Sequence, residues 1–530
     1  MALERVASLE GTPESRVLVI ITGGTICMRP SPDGLIPATD FLDSGMRPRP
    51  QFNDGSDPGS LAAYSGDDGR ALYLKSLRTP KSLYGRRVQY AVLEFQTLLD
   101  SSSIDAKGWT QIAVAIERNY SLFDAFVILH GTDSLAYTSS ALSFMLSDLG
   151  KPVILTGSQA PIHELQSDAT DNLLGSLILA GHFLIPEVCL FFNHKLFRGN
   201  RTTKVSADQF AAFASPNCAP LATITSSHIH VAWDAIYRPT ELKALSLQTN
   251  LHLAYVACLR IFPGIKPEMV DAVIRVPGLR GLVLETFGAG NAPSGPDNAL
   301  INIFTEAVQR GIVIVNITQC LTGSVSATYA PAQILGKAGI VAGNDMTTEA
   351  ALTKLSYLMA LPDISPADVV KLMGKSIRGE LTERSKVSFT SGDTALSHKH
   401  ELLSRLSYAI AGGDLAQVRE VMSHAPEYLL NESDYSGNTP LHLAATGPNV
   451  EVLRFLLQKG ASVHLRTKAG NSPLFLAADA GLESHVSLLK QAGAHLHPGE
   501  VEMARLLRDQ QSSSQKLRRC WDIAEVPWGE

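Results

Sequence analysis

The sequence predicts an α/β protein with a larger N-terminal and a smaller C-terminal parallel-sheet domain, followed by an α-helical repeat domain. Three observations carry this. Short apolar runs alternate with helix-period segments from Arg16 to about Thr225, and the alternation resumes from about residue 246. Strand–helix alternation of this kind implies a mostly parallel sheet covered on both faces. Beyond residue 396 a motif recurs after 33 residues, and the α/β pattern ends.

Taken in order, Val17–Ile21, Phe126–Leu129, Val153–Leu155 and Val188–Phe192 read as strands, each a β-branched or aliphatic run flanked by turn residues. Trp109–Asn119 and Ser134–Leu149 read as the helices between them. Gly45–Arg70 is rich in Gly, Pro, Asp and Ser and is expected to be a loop or insertion that contributes little core. These elements define a first domain over residues 16–225, and residues 226–245 read as a linker. A second α/β domain, 246–385, is expected to carry strands at Gly281–Thr286 and Ile312–Ile317 and helices at Asn298–Arg310 and Thr347–Leu361.

In the last part, Gly437-Asn-Thr-Pro-Leu-His-Leu-Ala-Ala445 recurs as Gly470-Asn-Ser-Pro-Leu-Phe-Leu-Ala-Ala478, and Lys459-Gly-Ala-Ser462 as Ala492-Gly-Ala-His495. The period and the Thr-Pro-Leu-His core resemble ankyrin repeats. Proline costs nothing at the first position of a helix, where its missing N–H would have no partner. Leu402–Leu430 reads as a degenerate opening repeat. The repeat domain spans 396–500, and 501–530 is a C-terminal tail.

Composition narrows the partners. Hydrophobic content of 45% and charged content of 18% fit a globular protein. A net charge of −6 without a long basic run argues against nucleic acid or an anionic membrane as the main partner. No stretch is apolar enough for a membrane span, and Met1–Ser15 lacks the apolar core of a secretory signal. The six cysteines form no CxxC pair and no zinc-spaced cluster. A reducing, cytoplasmic setting is expected.

Two strands end in Thr-bearing glycine turns, Thr22-Gly-Gly-Thr25 and His130-Gly-Thr-Asp133. Open α/β sheets bind ligands just beyond the carboxyl ends of their strands. Glycine permits a sharp turn and a close ligand approach. Asp133 directly follows Thr132 and can bind a substrate ammonium, although Thr or Asp before a helix also serves as a cap. His130 is expected to be a structural, hydrogen-bonded histidine. Lys204, in Arg198-Gly-Asn-Arg-Thr-Thr-Lys204, is a candidate base. Burial can bring a lysine from about 10.4 towards about 7–8, although a lysine in a polar stretch is usually a solvated charge.

Together these motifs resemble the L-asparaginases, particularly the bacterial type I and animal cytosolic branch. Leu155-Thr-Gly-Ser-Gln159, Phe287-Gly-Ala-Gly-Asn-Ala-Pro293 and Asn316-Ile-Thr-Gln-Cys320 add to the match, in family order over about residues 16–385. The resemblance implies hydrolysis of L-asparagine to L-aspartate and ammonia through a β-aspartyl ester on Thr25. Thr132, Asp133 and Lys204 form the second catalytic group, and Asp133 also binds the substrate's α-ammonium. Asp100 and Ser101, in Leu99-Asp-Ser-Ser-Ser-Ile104, match the family's substrate-binding pair, with Ser102 as the alternative to Ser101 and a loop and helix cap as the structural alternative. Neither metal nor organic cofactor is implied. A homodimer or homotetramer is, with Asn291 in the segment that reaches a neighbour's site. Ankyrin repeats add the expectation of a protein partner of unknown identity.

The chain departs from the family at two places. Leu35, in Asp33-Gly-Leu-Ile-Pro37, stands where type I bacterial enzymes carry an activating tyrosine, and an apolar side chain cannot relay a proton. Tyr329 is the candidate replacement, with a partly buried structural aromatic as the alternative. Cys27 replaces a common glycine and is expected to narrow the turn or confer sensitivity to oxidation. Two other functions compete: lysophospholipase or acetylhydrolase activity, although no Gly-x-Ser-x-Gly surrounds a serine nucleophile, and an ankyrin scaffold with an impaired catalytic domain.

Overall fold

The protein is described by a computed structural model covering residues 14–526 except 32–33, 38–39, 67, 99–100, 239–242, 254, 326–329, 383–397, 425–426, 435 and 511–514. Five parallel strands form the middle of the main sheet: β1 (Glu14–Ile21), β2 (Arg87–Glu94), β3 (Ala125–Leu129), β4 (Val153–Thr156) and β5 (Val188–Phe192). Their spatial order is β2-β1-β3-β4-β5. The direction of winding therefore reverses between β1 and β3, and a crevice opens beyond their carboxyl ends.

The pleat sends alternate residues of β1 to opposite layers. Leu18 and Ile20 join the core beneath helices α1 (Ala106–Asn119) and α2 (Leu135–Met145), whereas Val17, Val19 and Ile21 face α3 (Ala169–His182). The Asp105 carboxylate caps α1 by accepting from the backbone N–H of Lys107 and Gly108. Helix α2 is buried on nearly every side because the second domain covers its outer face. There it packs on α4 (Thr348–Ala360), and the Ser140 and Thr353 hydroxyls lie 2.7 Å apart.

Three expectations change. The main sheet is parallel only in its middle, since Ser60–Tyr64 and Ala71–Arg78 extend one edge and Lys195–Arg198, Ala222–Ile224 and Ile229–Val231 the other, all antiparallel. Gly45–Arg70 is not a bare loop. Leu61 and Ala63 alternate inward on its edge strand, and Phe52 is fully buried. The helix expected over Ser134–Leu149 stops at Met145, and Leu146–Ser147 pairs with Ser246–Leu247. The second domain is a four-stranded parallel sheet, Val256–Arg260, Gly281–Thr286, Val313–Thr318 and Val341–Ala342.

In the repeat domain, Thr439 and Ser472 precede helices Pro440–Ala445 and Pro473–Asp479, each with proline in the first turn. Each of these packs on a second helix, Val450–Gln458 or Glu483–Gln491. Helices His398–Ala411 and Leu415–His424 open the stack. The tail is helical, Pro498–Gln510 and Gln515–Ile523, and fully buried Trp521 closes the stack against Phe475.

The repeats dock on the amino ends of the central strands. The Trp233 indole stacks on His464 at 4.1 Å and on His495 at 5.2 Å, each with an interplanar angle of 7°. Glu525 pairs with Lys490 at 2.9 Å and also with Arg86, just before β2.

Candidate active site

The crevice between β1 and β3 holds the two glycine turns. Gly24 has a φ of +93°, and a Cβ there would lie 2.5 Å from the backbone N of Gly131. A Cβ on Gly131 would meet Ser101 Oγ at 2.4 Å. Only glycine lets the two turns touch. The Thr22 backbone N–H and hydroxyl both donate to Leu129 O, at 3.0 and 2.9 Å, and lock the strand ends in register. Thr25 then opens a short turn with Ile26 and buried Cys27.

A cavity of about 420 Å³ lies above these turns, walled by Thr25, Ser101, Thr132, Asp133, Gln159 and Lys204 among others. Lys204 Nζ donates to Thr132 Oγ1 at 2.9 Å and to Asp133 Oδ1 at 2.9 Å. Thr132 Oγ1 donates to Gln159 Oε1 at 3.3 Å. The Lys204 side chain is 20% exposed and that of Asp133 67%, so the pair sits at the cavity mouth. Its ion pair is half in water, where such contacts contribute little to stability. Its consequence is to orient the amine against a hydroxyl. Neither Thr132 nor Asp133 caps α2. Ser134 holds the cap position, and its hydroxyl donates to Ser101 O.

The sequence-predicted residues fall into three groups. Thr25, Ser101, Thr132, Asp133 and Lys204 line one cavity. Asp100 and Tyr329 lie outside the described residues. Asn291 is not on this cavity. It closes a turn whose backbone pairs with Phe287, and its Oδ1 is buried with no partner among the described residues. His130 is buried and structural: Nε2 is 3.0 Å from Thr138 Oγ1, and burial pulls the imidazole down to about 4. Leu35 is 48% exposed on the hairpin that follows Thr25. Burial, and then Glu94, pushes the thiol of buried Cys27 up.

Gln159 lines the cavity too, and in the sequence it stands out only as the end of Leu155-Thr-Gly-Ser-Gln159. Its backbone N–H donates to Asp168, as does that of Ala160, and Asn172 Nδ2 donates to the same carboxylate. The available signal was position, because Thr-Gly-Ser-Gln ends the strand next to β3.

A model of the N-terminal asparaginase domain matches residues 16–237, one of the glutaminase/asparaginase C-terminal domain residues 255–373, and one of ankyrin repeats residues 406–498. The chain is 41% identical over 465 residues to the 60 kDa lysophospholipase of Mus musculus, covering 84% of this chain and 79% of that one. It is 39% identical over 469 residues to the L-asparaginase of Dirofilaria immitis, covering 86% and 78%. Among solved structures, L-asparaginase I of Vibrio cholerae superposes with a TM-score of 0.58 at 35% identity, covering 70% of this chain and all of that one. Two α/β domains in the family's order, the crevice between β1 and β3 and these relatives agree: the chain belongs to the asparaginase family and is an amidohydrolase followed by ankyrin repeats.

Proposed function

We propose that the protein is an L-asparaginase with Thr25 as nucleophile. The observation that carries this is the Lys204 amine, 2.9 Å from both Thr132 Oγ1 and Asp133 Oδ1, in a cavity that Thr25 also lines. Thr25 Oγ attacks the side-chain amide carbon of L-asparagine. Ammonia leaves with the proton taken from the hydroxyl, and a β-aspartyl ester remains. Water, activated through Thr132 and Lys204, hydrolyses the ester to L-aspartate. Asp133 binds the α-ammonium, and Asp100 and Ser101 the rest of the substrate backbone. Backbone N–H groups near Thr132 stabilise the oxyanion. Tyr329 stands in for the tyrosine absent at Leu35.

The working form is a homodimer or homotetramer in which Asn291 serves a neighbour's site. Its location is cytoplasmic, in keeping with six free cysteines. No helix among the described residues is long and apolar enough to cross a membrane.

The test is ammonia and aspartate release from L-asparagine by the full chain, with L-glutamine and a lysophosphatidylcholine in parallel. Wild-type turnover of asparagine, lost in Thr25→Ala and lowered about tenfold in kcat by Tyr329→Phe, is the expected result. Turnover of the lysolipid alone selects the lipid hydrolase that the name of the Mus musculus relative suggests. Silence on all three selects the ankyrin scaffold.

A further inference from the structure

Lys204 is one of seven residues in Arg198-Gly-Asn-Arg-Thr-Thr-Lys204, and the mechanism uses none of the other six. The structure gives three of their side chains a common task. Asn200 Nδ2 donates to Arg378 O at 3.0 Å, Arg198 Nη1 to Gly379 O at 3.3 Å and Arg201 Nη1 to Glu380 O at 2.8 Å. Three side chains thus hold three consecutive carbonyls of one strap, residues 376–382, which follows the last helix of the second domain.

Arg201 carries the most contacts. Its guanidinium, 3% exposed, binds Asp345 in the fork geometry, Nη1 to Oδ1 at 3.1 Å and Nη2 to Oδ2 at 2.8 Å. Asp345 also accepts from the Thr382 backbone N–H at 2.8 Å and hydroxyl at 2.6 Å. Two residues on, Thr203 Oγ1 donates to Glu349 Oε1 at 2.7 Å, at the start of α4. The strap is itself pinned. Glu380 pairs with Lys354 at 2.5 Å with both side chains fully buried, and it accepts from the backbone N–H of Ile377 and Arg378.

The strand bearing Lys204 is only two residues long, Thr203–Lys204, paired with Phe213–Ala214. So short a strand cannot by itself hold a long, four-torsion side chain against Thr132. We propose that Arg201 is a positioning residue for Lys204, and that the 376–382 strap, through Asp345 and Thr382, sets where the lysine stands. A site built from first-domain residues is thereby completed by the second domain, at the segment from which the chain runs on towards the repeats. The catalytic consequence rests on the asparaginase reading above; the placement of the lysine does not.

The experiment uses the full chain and three variants: Arg201→Lys, which keeps the charge but loses the fork; Asp345→Asn; and Thr382→Val, the mildest, at the far end of the strap. Two quantities are read. One is kcat and KM for L-asparagine with the pH profile of kcat. The other is acetylation of Lys204 across pH, quantified by peptide mass spectrometry, which needs no activity. Expected is a kcat lower by about tenfold in Arg201→Lys, with KM within about twofold and a displaced pH profile. Lys204 labelling should be faster by about tenfold, and Thr382→Val should move both in the same direction by less. Variants that melt earlier but keep wild-type labelling and pH profile would overturn the proposal. If wild type is inert on asparagine while labelling still changes, the asparaginase reading falls and the positioning stands. Should Arg201→Lys fail to fold, Thr382→Val decides alone.

Discussion

The two ends of the central sheet solve opposite problems. At the carboxyl ends of β1 and β3 the chain is polar, glycine-turned and open, and Thr132, Asp133, Lys204 and Gln159 bind one another around a cavity of about 420 Å³. At the amino ends the surface is aromatic: Trp233 stacks on both His464 and His495, whose rings lie 6.4 Å apart, and Phe183 sits 5.6 Å from His495. The first end uses its polar groups to orient the Lys204 amine against the Thr132 hydroxyl. The second packs ring on ring and gains shape and apolar area. The difference teaches that chemistry and docking occupy opposite ends of the same strands, so each can be damaged without the other.

The largest separation comes from Thr25→Ala. It should lower ammonia release at least about a thousandfold while leaving the scattering profile of the full chain unchanged. A residual rate near wild type would move the nucleophile elsewhere. The mirror variant is Trp233→Ala. Losing the stacked indole should cost docking about 3 kcal/mol, read as a larger radius of gyration by small-angle scattering, with kcat within about twofold of wild type. An unchanged radius would mean that the Glu525 contacts to Lys490 and Arg86 hold the seam alone.

Acid should act in the same direction with smaller effect. Burial pushes His464 and His495 well below the usual imidazole range, and Arg238, Lys490 and Arg86 facing the seam push the same way. His182, on the same seam, is brought down to about 4, chiefly by burial. Above about 6.5 neither the docked nor the released form of these rings takes a proton, so docking is at full strength. Below it the released form binds protons that the docked form refuses, so docking weakens as pH falls, by at most about 1.4 kcal/mol per unit for each ring. Scattering between pH 7.5 and 5.5 checks this, and His464→Gln with His495→Gln should flatten the dependence. The smallest effect is expected from ending the chain before Leu396: asparagine turnover stays within about twofold while solubility falls, because Trp233 and Phe183 become exposed. A folded but inactive truncation would join what the comparison separates.

Sequence patterns revealed what depends on neighbours in the chain. Both glycine turns, the strands feeding them and the Thr-Pro and Ser-Pro helix starts of the repeats are local, and all are present. Strand β2 is not legible in the sequence, although it pairs with β1 along its whole length. Gln89 and charged ends interrupt its apolar run. Ser60–Tyr64 was hidden by the composition of its surroundings, because only pairing with Ala71–Arg78 makes Leu61 and Ala63 a buried face. In the site, residue types at strand ends pointed to Thr25, Thr132 and Asp133. The Arg201–Asp345 fork joins positions 144 apart in the chain, and the seam joins Trp233 to His464. Neither leaves a periodicity or motif in one sequence, because each exists only once two domains have met.

The most direct test of the account is to capture the acyl intermediate. Wild-type protein mixed with L-asparagine and quenched in acid within one turnover should carry a β-aspartyl ester on the peptide that contains Thr25, absent from Thr25→Ala and retained in Trp233→Ala. An ester on the Thr132 peptide, or turnover of asparagine with no ester on any residue, would contradict it.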